Sequence, residues 1–222
     1  DDDVWVVAIT GIADCFCSGV DLTPAGNAPD QGPMSEIQSQ IDDLSWVGQI
    51  PIAIRERCDK PVVAGLNGVA AGAGLALAMA CDIRIAAENA WLFPGYSRIG
   101  GSPDGGLSWT LPQAIGYEKA MRFLLENKRV DPAEALSLGL IGEIVPDDQF
   151  EARFAEYCQS LTTISPIAAR LTKRVVREAT KIDIAAQVRY ELQTIGTAFA
   201  SEDGQESRRA FLERRKPEIK GR

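Results

Sequence analysis

A stretch of small residues at positions 67–82, NGVAAGAGLALAMACD, places the tightest limits on how this chain folds. It follows a short apolar run at 62–66, and its glycines allow the backbone to approach a ligand closely. From about Gly72 the side chains are small and then apolar, which predicts a wholly buried helix. A strand that leads through glycines into a helix leaves the first-turn N–H groups without helical partners. These groups, with the positive end of the helix dipole behind them, favour negative charge.

Three interpretations of this stretch remain open from its residues alone. A bound phosphate is the weakest, because no Gly-Lys-Ser/Thr follows the glycines and Gly72-Ala73-Gly74 lacks the third glycine of a dinucleotide fingerprint. The second is an oxyanion that forms during a reaction. The third involves no ligand, since small residues also allow a helix to pack tightly beneath a sheet.

The amino-acid composition excludes several kinds of chemistry. The chain has 222 residues, no histidine and a net charge of −8. Without histidine there is no Ser-His-Asp or Cys-His nucleophile system and no His-ligated metal, so acid–base work falls to Asp, Glu, Tyr, Lys or Cys. The acidic balance argues against nucleic acid or an anionic membrane as a partner, and no apolar run reaches membrane-spanning length. The five cysteines lack zinc-site spacing, so we expect no bound metal and idle thiols in a reducing cytoplasm.

Apolar, β-branched runs alternate with helical segments, which predicts an α/β fold. Strands are expected at 4–10, 62–66 and 83–87, the first as a buried parallel strand. Glycines and prolines predict a loop at 23–35. Helices are expected from Ser35 toward Cys58, interrupted near Pro51, and at about 118–127, 132–138, 147–161, 166–180, 183–200 and 203–215.

A second loop rich in Gly and Pro, at 91–109, carries an aspartate in its middle. Asp104 is a candidate site residue. It is equally a candidate N-cap of the helix that is predicted to begin near Gly105, because Asp is a favoured N-cap residue. The pattern of the loop leaves both roles open.

The order and spacing of several motifs resemble those of the enoyl-CoA hydratase/isomerase (crotonase) superfamily over almost the whole chain. The motifs are VVAITG at 6–11, FCSGVDL at 16–22, the segment 60–82, PDGG at 103–106, AEALSLGLI at 133–141 and FLERRKP at 211–217. The resemblance implies a crotonase-like ββα spiral core at 1–146, whose first strands would precede residue 1. It also implies a C-terminal α-helical oligomerisation region at 147–222 that docks subunits into a homotrimer or hexamer.

The resemblance gives the glycine bends a shared purpose. It implies that the backbone N–H groups of Val20 and Ala73 hold the thioester carbonyl of an acyl-CoA and stabilise an enolate-like oxyanion. Fixed N–H dipoles in a dry site can lower a barrier by roughly 3–4 kcal/mol each. Coenzyme A would enter as the thioester substrate, with no permanently bound cofactor. The residues implied to contact it are Val20, Asp21, Leu22, Gly72, Lys216 and Lys220.

The sequence departs from a hydratase at both catalytic positions. The two glutamates of hydratases would fall at Ala76 and Tyr96, so hydration by the usual mechanism is not expected. Asp104 matches an aspartate that some double-bond isomerases and aromatic-CoA dehalogenases place beside the acyl chain. In an apolar pocket such a carboxyl has a raised pKa and can move a proton between two carbons. Tyr96 is a weaker candidate, as a proton donor or a wall of the acyl pocket.

Three functions follow as expectations. The first is double-bond isomerisation with Asp104 as the acid–base residue. The second is nucleophilic attack by Asp104, giving an acyl-CoA hydrolase or dehalogenase, and the absence of histidine counts against it because water must be activated in the second step. The third is a crotonase homologue that binds acyl-CoA without turning it over.

Overall fold

The computed structural model describes residues 1–23 and 46–222, although not the side chain of Trp46. The expected loop at 23–35, apart from Thr23, and the first part of the helix expected from Ser35 lie outside the described residues. In the described part, the strands and helices confirm the predicted α/β class.

The strands of the described chain form two sheets, and successive strands along the chain belong alternately to one sheet and the other. The first sheet has the order β1 (Val7–Thr10), β3 (Val62–Leu66), β5 (Ile83–Ala87), β7 (Glu143–Val145). The second has the order β2 (Cys15–Cys17), β4 (Val69–Ala71), β6 (Trp91–Phe93), and its neighbouring strands are parallel. In the second sheet, β4 and β6 are therefore neighbours, and Ala71 lies opposite Phe93.

Strand burial follows position in the sheet. Every residue of β3 is buried, as its apolar run predicts for a central strand. The expectation that the first strand is buried is wrong for the described structure, because β1 lies at the edge of the sheet that the described residues form, and its residues alternate between partly buried and exposed. The predicted strands at 62–66 and 83–87 are confirmed.

The predicted helices that lie in the described residues are present. The N-terminal one, α1 (Trp46–Ile52), contains Pro51 and continues as a π-helix (Ala53–Arg57), which confirms the interruption expected there. Helix ends expected at and beyond residue 118 are displaced by no more than two residues, except that the helix expected from 147 begins at Phe150, after a 3₁₀ turn at Asp147–Gln149. The remaining helices are α2 (Ala73–Ala80), α3 (Leu107–Ile115), α4 (Tyr117–Glu126), α5 (Pro132–Leu138), α6 (Phe150–Leu161), α7 (Pro166–Glu178), α8 (Ile184–Ala200) and α9 (Glu202–Glu213).

The chain forms two compact units. One comprises residues 9–57, as far as they are described, and 64–151, and it holds both glycine bends and Asp104. The other comprises 1–8, 58–63 and 152–222, and it holds α7 to α9. The expected division at residue 146 stays a prediction about domains. Among the described residues, none of the helices has the length and apolar character needed to cross a membrane.

Candidate active site

The first feature of the site is the sharp entry into α2. Gly72 precedes the helix with a φ of +53°, and its N–H donates to the Phe93 carbonyl oxygen at 3.0 Å. Six of the eight residues of α2 are buried, in agreement with the buried helix that its composition predicts. Within the described chain, the next amide, that of Ala73, donates to no acceptor outside its own helix. A first-turn amide has no partner inside the helix either, so the Ala73 N–H is available.

The second glycine bend lies directly against the first. Gly19 has a φ of +100°, and a Cβ at that position would lie 2.9 Å from the Ala71 oxygen and 3.4 Å from the Ala73 nitrogen. Gly74, in the first turn of α2, is as close to β2, because its Cβ would lie 2.1 Å from the Cys17 oxygen. The family resemblance implies that the two bends serve one site, and the fold brings the two bends close together. Glycine is required here for close backbone approach.

The third feature is a hydrogen bond between Tyr96 and Asp104. Tyr96 begins a short 3₁₀ helix (Tyr96–Ile99), and only 8% of its surface is exposed. Its hydroxyl donates to Oδ1 of Asp104 at 2.8 Å. Burial, and then this hydrogen bond, raise the pKa of the Tyr96 phenol well above its usual range. The phenol therefore remains a protonated donor at neutral pH.

Two expectations about Asp104 are wrong. Its side chain does not cap α3, because the N-cap position is Gly106 and no side chain caps that helix. Asp104 also does not lie in an apolar pocket formed by the described residues, since the residue is exposed. The expectation of a pocket came from the family resemblance, whereas residues 97–102, which include Gly100 and Gly101, are exposed and lead into the Asp104 turn.

The turn that carries Asp104 packs tightly against two helices. Gly105 has a φ of +56°, and a Cβ there would lie 2.8 Å from Ala76 Cβ and 3.3 Å from Val47 Cγ1. Gly106 is similarly close to Pro51 of α1. Ala76 is 2% exposed, and its amide donates to the Gly72 oxygen one helical turn earlier. The Asp104 turn therefore lies about one turn of α2 from the Ala73 amide, and it packs over Ala76, the position at which the family resemblance implies a glutamate in hydratases.

The remaining candidate residues are placed as follows. Val20 is partly buried, and Asp21 and Leu22 are exposed. Asp21 Oδ1 accepts a hydrogen bond from the Thr23 N–H at 2.9 Å, which lowers the pKa of that carboxyl. Lys216 and Lys220 are exposed in the other unit, where the Lys220 ammonium lies 3.7 Å from Glu202.

The described residues contain no group of three or more His, Cys, Asp or Glu side chains that could hold a metal ion. The expectation that the protein binds no metal stays a prediction. All five cysteines are unpaired thiols, and Cys81 is the buried one.

Sequence reasoning missed the two contacts that define this site. The Tyr96–Asp104 hydrogen bond joins residues eight positions apart across a 3₁₀ turn and three glycine or serine positions, and no periodicity predicts it. The packing of Gly105 on Ala76 joins the Asp104 turn to helix α2, which lies much earlier in the sequence. The weak signal for both was the pair Gly105-Gly106, because consecutive glycines indicate positive φ angles or close contacts.

Comparison with known proteins decides the family. A family model described as enoyl-CoA hydratase/isomerase matches residues 1–222. The chain belongs to this family. It is an acyl-CoA-processing enzyme by family, and the crotonase resemblance stated above is confirmed.

Relatives within the family carry out different reactions. A probable enoyl-CoA hydratase of Rhodobacter capsulatus is 34% identical, over 97% of this chain and 81% of its own length. The 4-chlorobenzoyl coenzyme A dehalogenase-1 of an Arthrobacter species is 29% identical, over 88% of this chain and 69% of its own length. The 1,2-epoxyphenylacetyl-CoA isomerase of Escherichia coli is 31% identical, over 100% of this chain and 83% of its own length.

Solved structures of the family share the fold. An enoyl-CoA hydratase from Polaromonas sp. JS666 superposes with a TM-score of 0.88 and 29% identity, covering 99% of this chain and 84% of that protein. The crotonase-like α/β architecture with C-terminal helices is therefore confirmed. The choice among hydration, isomerisation and dehalogenation depends on the site itself.

Proposed function

We propose that this enzyme isomerises a double bond in an acyl-CoA, with Asp104 as the acid–base residue. The observation that carries the proposal is the Asp104 turn, which packs against Ala76 and carries a carboxylate oriented by Tyr96. In a hydratase a glutamate at position 76 would move the proton. Alanine has no group that does so, and the nearest turn supplies a carboxylate instead.

In the proposed reaction, backbone amides hold the thioester and Asp104 moves one proton. The N–H groups of Val20 and Ala73 donate to the thioester oxygen of a 3-enoyl-CoA. Asp104 removes a proton from C2, and the electron pair moves toward that oxygen to give a dienolate. The same carboxyl returns the proton to C4, and the double bond finishes between C2 and C3. Atoms and electrons balance without any further reactant.

The two amides and the carboxylate contribute in different ways. Preorganised N–H groups act on the charge that develops on the thioester oxygen, at roughly 3–4 kcal/mol each. A positioned acid–base group contributes about 10²–10⁴-fold in rate. Because Tyr96 donates to Oδ1, it fixes the carboxylate and leaves Oδ2 for the proton. The bound acyl chain itself supplies the apolar surroundings that the exposed Asp104 lacks in the described chain.

In this proposal coenzyme A is part of the thioester substrate and not a permanently bound cofactor. Its proposed contacts are the bend at Val20, Asp21 and Leu22, the turn at Gly72, and Lys216 or Lys220.

We also propose that the enzyme is a homotrimer or hexamer in the cytoplasm. Unpaired thiols fit a reducing compartment, and large exposed apolar side chains on α7 to α9 fit subunit contacts: Val176, Leu192, Phe199, Phe211 and Leu212.

A second candidate is nucleophilic attack by Asp104, giving a hydrolase or dehalogenase. The exposed carboxylate and the dehalogenase relative favour it. Its second step needs a base to activate water, and Tyr96, whose hydroxyl is hydrogen-bonded to Asp104, has a raised pKa, so its phenol stays protonated at neutral pH and cannot accept a proton. The third candidate, binding without turnover, is compatible with alanine at position 76.

Two assays separate these functions. The protein is given a 3-enoyl-CoA, and formation of the conjugated 2-enoyl-CoA is followed by absorbance. It is then given a 2-enoyl-CoA, whose hydration removes the same absorbance. Isomerisation without hydration supports the proposal, and hydration without isomerisation contradicts it. For the nucleophilic alternative, a single turnover of an aromatic acyl-CoA in H₂¹⁸O would leave the label in Asp104.

A further inference from the structure

Two arginines meet at the C-terminal end of α2, at the opposite end from the Ala73 amide. Arg55, in the π-helix, donates to the carbonyl oxygens of Met79 and Cys81 at 3.1 and 3.4 Å. Arg84, on β5, donates through Nη1 to the Cys81 oxygen at 2.7 Å. The last carbonyls of a helix have no partner inside it, so these guanidinium groups satisfy them.

Arg84 also ties the end of α2 to a third segment. Its Nε donates to the Leu140 oxygen at 2.7 Å, and its own carbonyl accepts from the Gly142 N–H at 2.9 Å. The planar guanidinium presents its donors in a fixed fork, so one side chain sets the distance between two backbone oxygens. The end of α2 is therefore held from both sides, by the π-helix through Arg55 and by β5 and residue 140 through Arg84.

This arrangement brings two like charges together in partly buried surroundings. Burial, and then the charge of Arg55, lower the pKa of the Arg84 guanidinium. Asp82 lies 4.0 Å from Arg55, and the negative end of the α2 dipole lies beside both cations. Any buried helix end needs donors for its last carbonyls, and at α2 two of these donors are guanidinium groups that belong to other segments. The two arginines therefore fix the position of α2 along its own helix axis.

We propose that Arg84, assisted by Arg55, is a positioning residue that sets where the Ala73 N–H meets the thioester oxygen. The proposal rests on the oxyanion role proposed above for Ala73. α2 spans about 12 Å from end to end, and a straight helix of two turns transmits a shift at one end to the other. Hydrogen bonds to an oxyanion depend steeply on distance and angle, so a small axial shift weakens them.

The test uses a spectroscopic readout that a loss of stability alone would not change. Butyryl-CoA carrying ¹³C at the thioester carbonyl is bound to the protein, and the infrared frequency of that carbonyl reports the strength of its hydrogen bonds. We expect the wild-type protein to lower the frequency and Arg84→Met to lose about half or more of that change. The kcat for isomerisation should fall at least about tenfold, with KM within about threefold. Arg84→Lys should recover part of both losses.

The matched control is Arg208→Met. Arg208 donates to the carbonyl oxygen of Phe199 in the last turn of α8 at 2.9 Å, so the same substitution removes a similar anchor from a different helix. We expect the carbonyl frequency and kcat of that variant to match the wild type. If Arg84→Met does not fold, Arg55→Met takes its place, because 30% of the Arg55 side chain is exposed.

The outcomes distinguish this inference from the proposed function. A folded Arg84→Met protein with unchanged carbonyl frequency and kcat would overturn the inference while leaving the isomerase intact. A wild-type protein that binds butyryl-CoA without any frequency change would overturn the oxyanion role and the inference with it. A frequency change that depends on Arg84, in a protein that does not isomerise 3-enoyl-CoA, would keep the positioning role and remove the proposed reaction.

Discussion

The Tyr96 hydroxyl lies 2.8 Å from Oδ1 of Asp104 and donates a hydrogen bond to it. Tyr96 is buried and Asp104 is exposed, so a fixed donor on the protein side orients a carboxylate on the solvent side. In the proposed mechanism this bond selects which carboxylate oxygen faces the substrate.

Removing the phenol oxygen should weaken catalysis more than stability. Tyr96→Phe frees the Asp104 carboxylate to rotate, and we expect kcat to fall about tenfold, less than the roughly 10²–10⁴-fold effect of removing an acid–base group itself. The cost in stability should be about 1 kcal/mol, because a hydrogen bond to an exposed carboxylate is weak. Steady-state isomerase assays and chemical denaturation measure the two effects. Tyr117→Phe, which changes an exposed tyrosine, should alter neither.

The raised pKa of Tyr96 predicts a loss of stability in alkali. The folded protein holds the phenolic proton more tightly than the unfolded chain does, so stability is unaffected below the unfolded pKa of about 10 and falls as the pH rises above it. Thermal unfolding between pH 8 and 11 should show a steeper fall for the wild type than for Tyr96→Phe. Parallel curves for the two proteins would contradict a buried, protonated phenol.

Gly19 should be required for activity as well as for stability, and the loss of activity should be larger than a loss of stability alone explains. In Gly19→Ala the new Cβ would lie 2.9 Å from the Ala71 oxygen and 3.4 Å from the Ala73 nitrogen, so the two bends must separate. We expect at least about 100-fold loss of kcat, the effect of removing one oxyanion donor. Gly116→Ala is the matched control, because Gly116 also has a positive φ but no atom near the added Cβ. Both variants should lose about 1–3 kcal/mol of stability, and only the first should lose activity.

A glutamate placed at position 76, where the family resemblance implies one in hydratases, should not give hydratase activity. Ala76 is 2% exposed and lies against the Gly105 turn, so the longer side chain of Ala76→Glu must displace that turn and bury a charge. We expect at least about 2 kcal/mol of destabilisation and loss of isomerisation, without a gain in hydration of a 2-enoyl-CoA. Ala76→Ser tests the size effect with a small polar group and should keep most of the activity. Efficient hydration by Ala76→Glu would show that the turn is not fixed.

Much of the fold could be predicted because the residues of a single helix or strand often indicate that element without reference to the rest of the chain. The buried run Val62–Leu66 and the capped helix Pro132–Leu138, whose Asp131 accepts from the Glu134 N–H, were predicted at their observed bounds. The short strand Val69–Ala71 was not expected, because three small residues show no alternation and form a strand only through pairing on both sides.

The site was predicted less completely, for a physical reason. The glycine bends were identified because positive φ angles and close backbone approach favour glycine, which is visible in the sequence. The exposure of Asp104 and its bond to Tyr96 depend on the path of the loop from Tyr96 to Gly105, and Gly105 packs on Ala76 of helix α2. No local propensity encodes that path.

The most direct test of the central claim is isomerisation of a 3-enoyl-CoA by the wild type, Asp104→Asn and Glu88→Gln. Glu88 is an exposed acidic residue of the same unit, so its amide variant controls for loss of charge. We predict conjugation by the wild type and Glu88→Gln, and a fall of about 10²–10⁴-fold in Asp104→Asn while its thermal unfolding and acyl-CoA binding are retained. Equal activity in all three proteins would contradict the assignment of Asp104 as the acid–base residue, and so would the absence of conjugation by a wild type that still binds acyl-CoA.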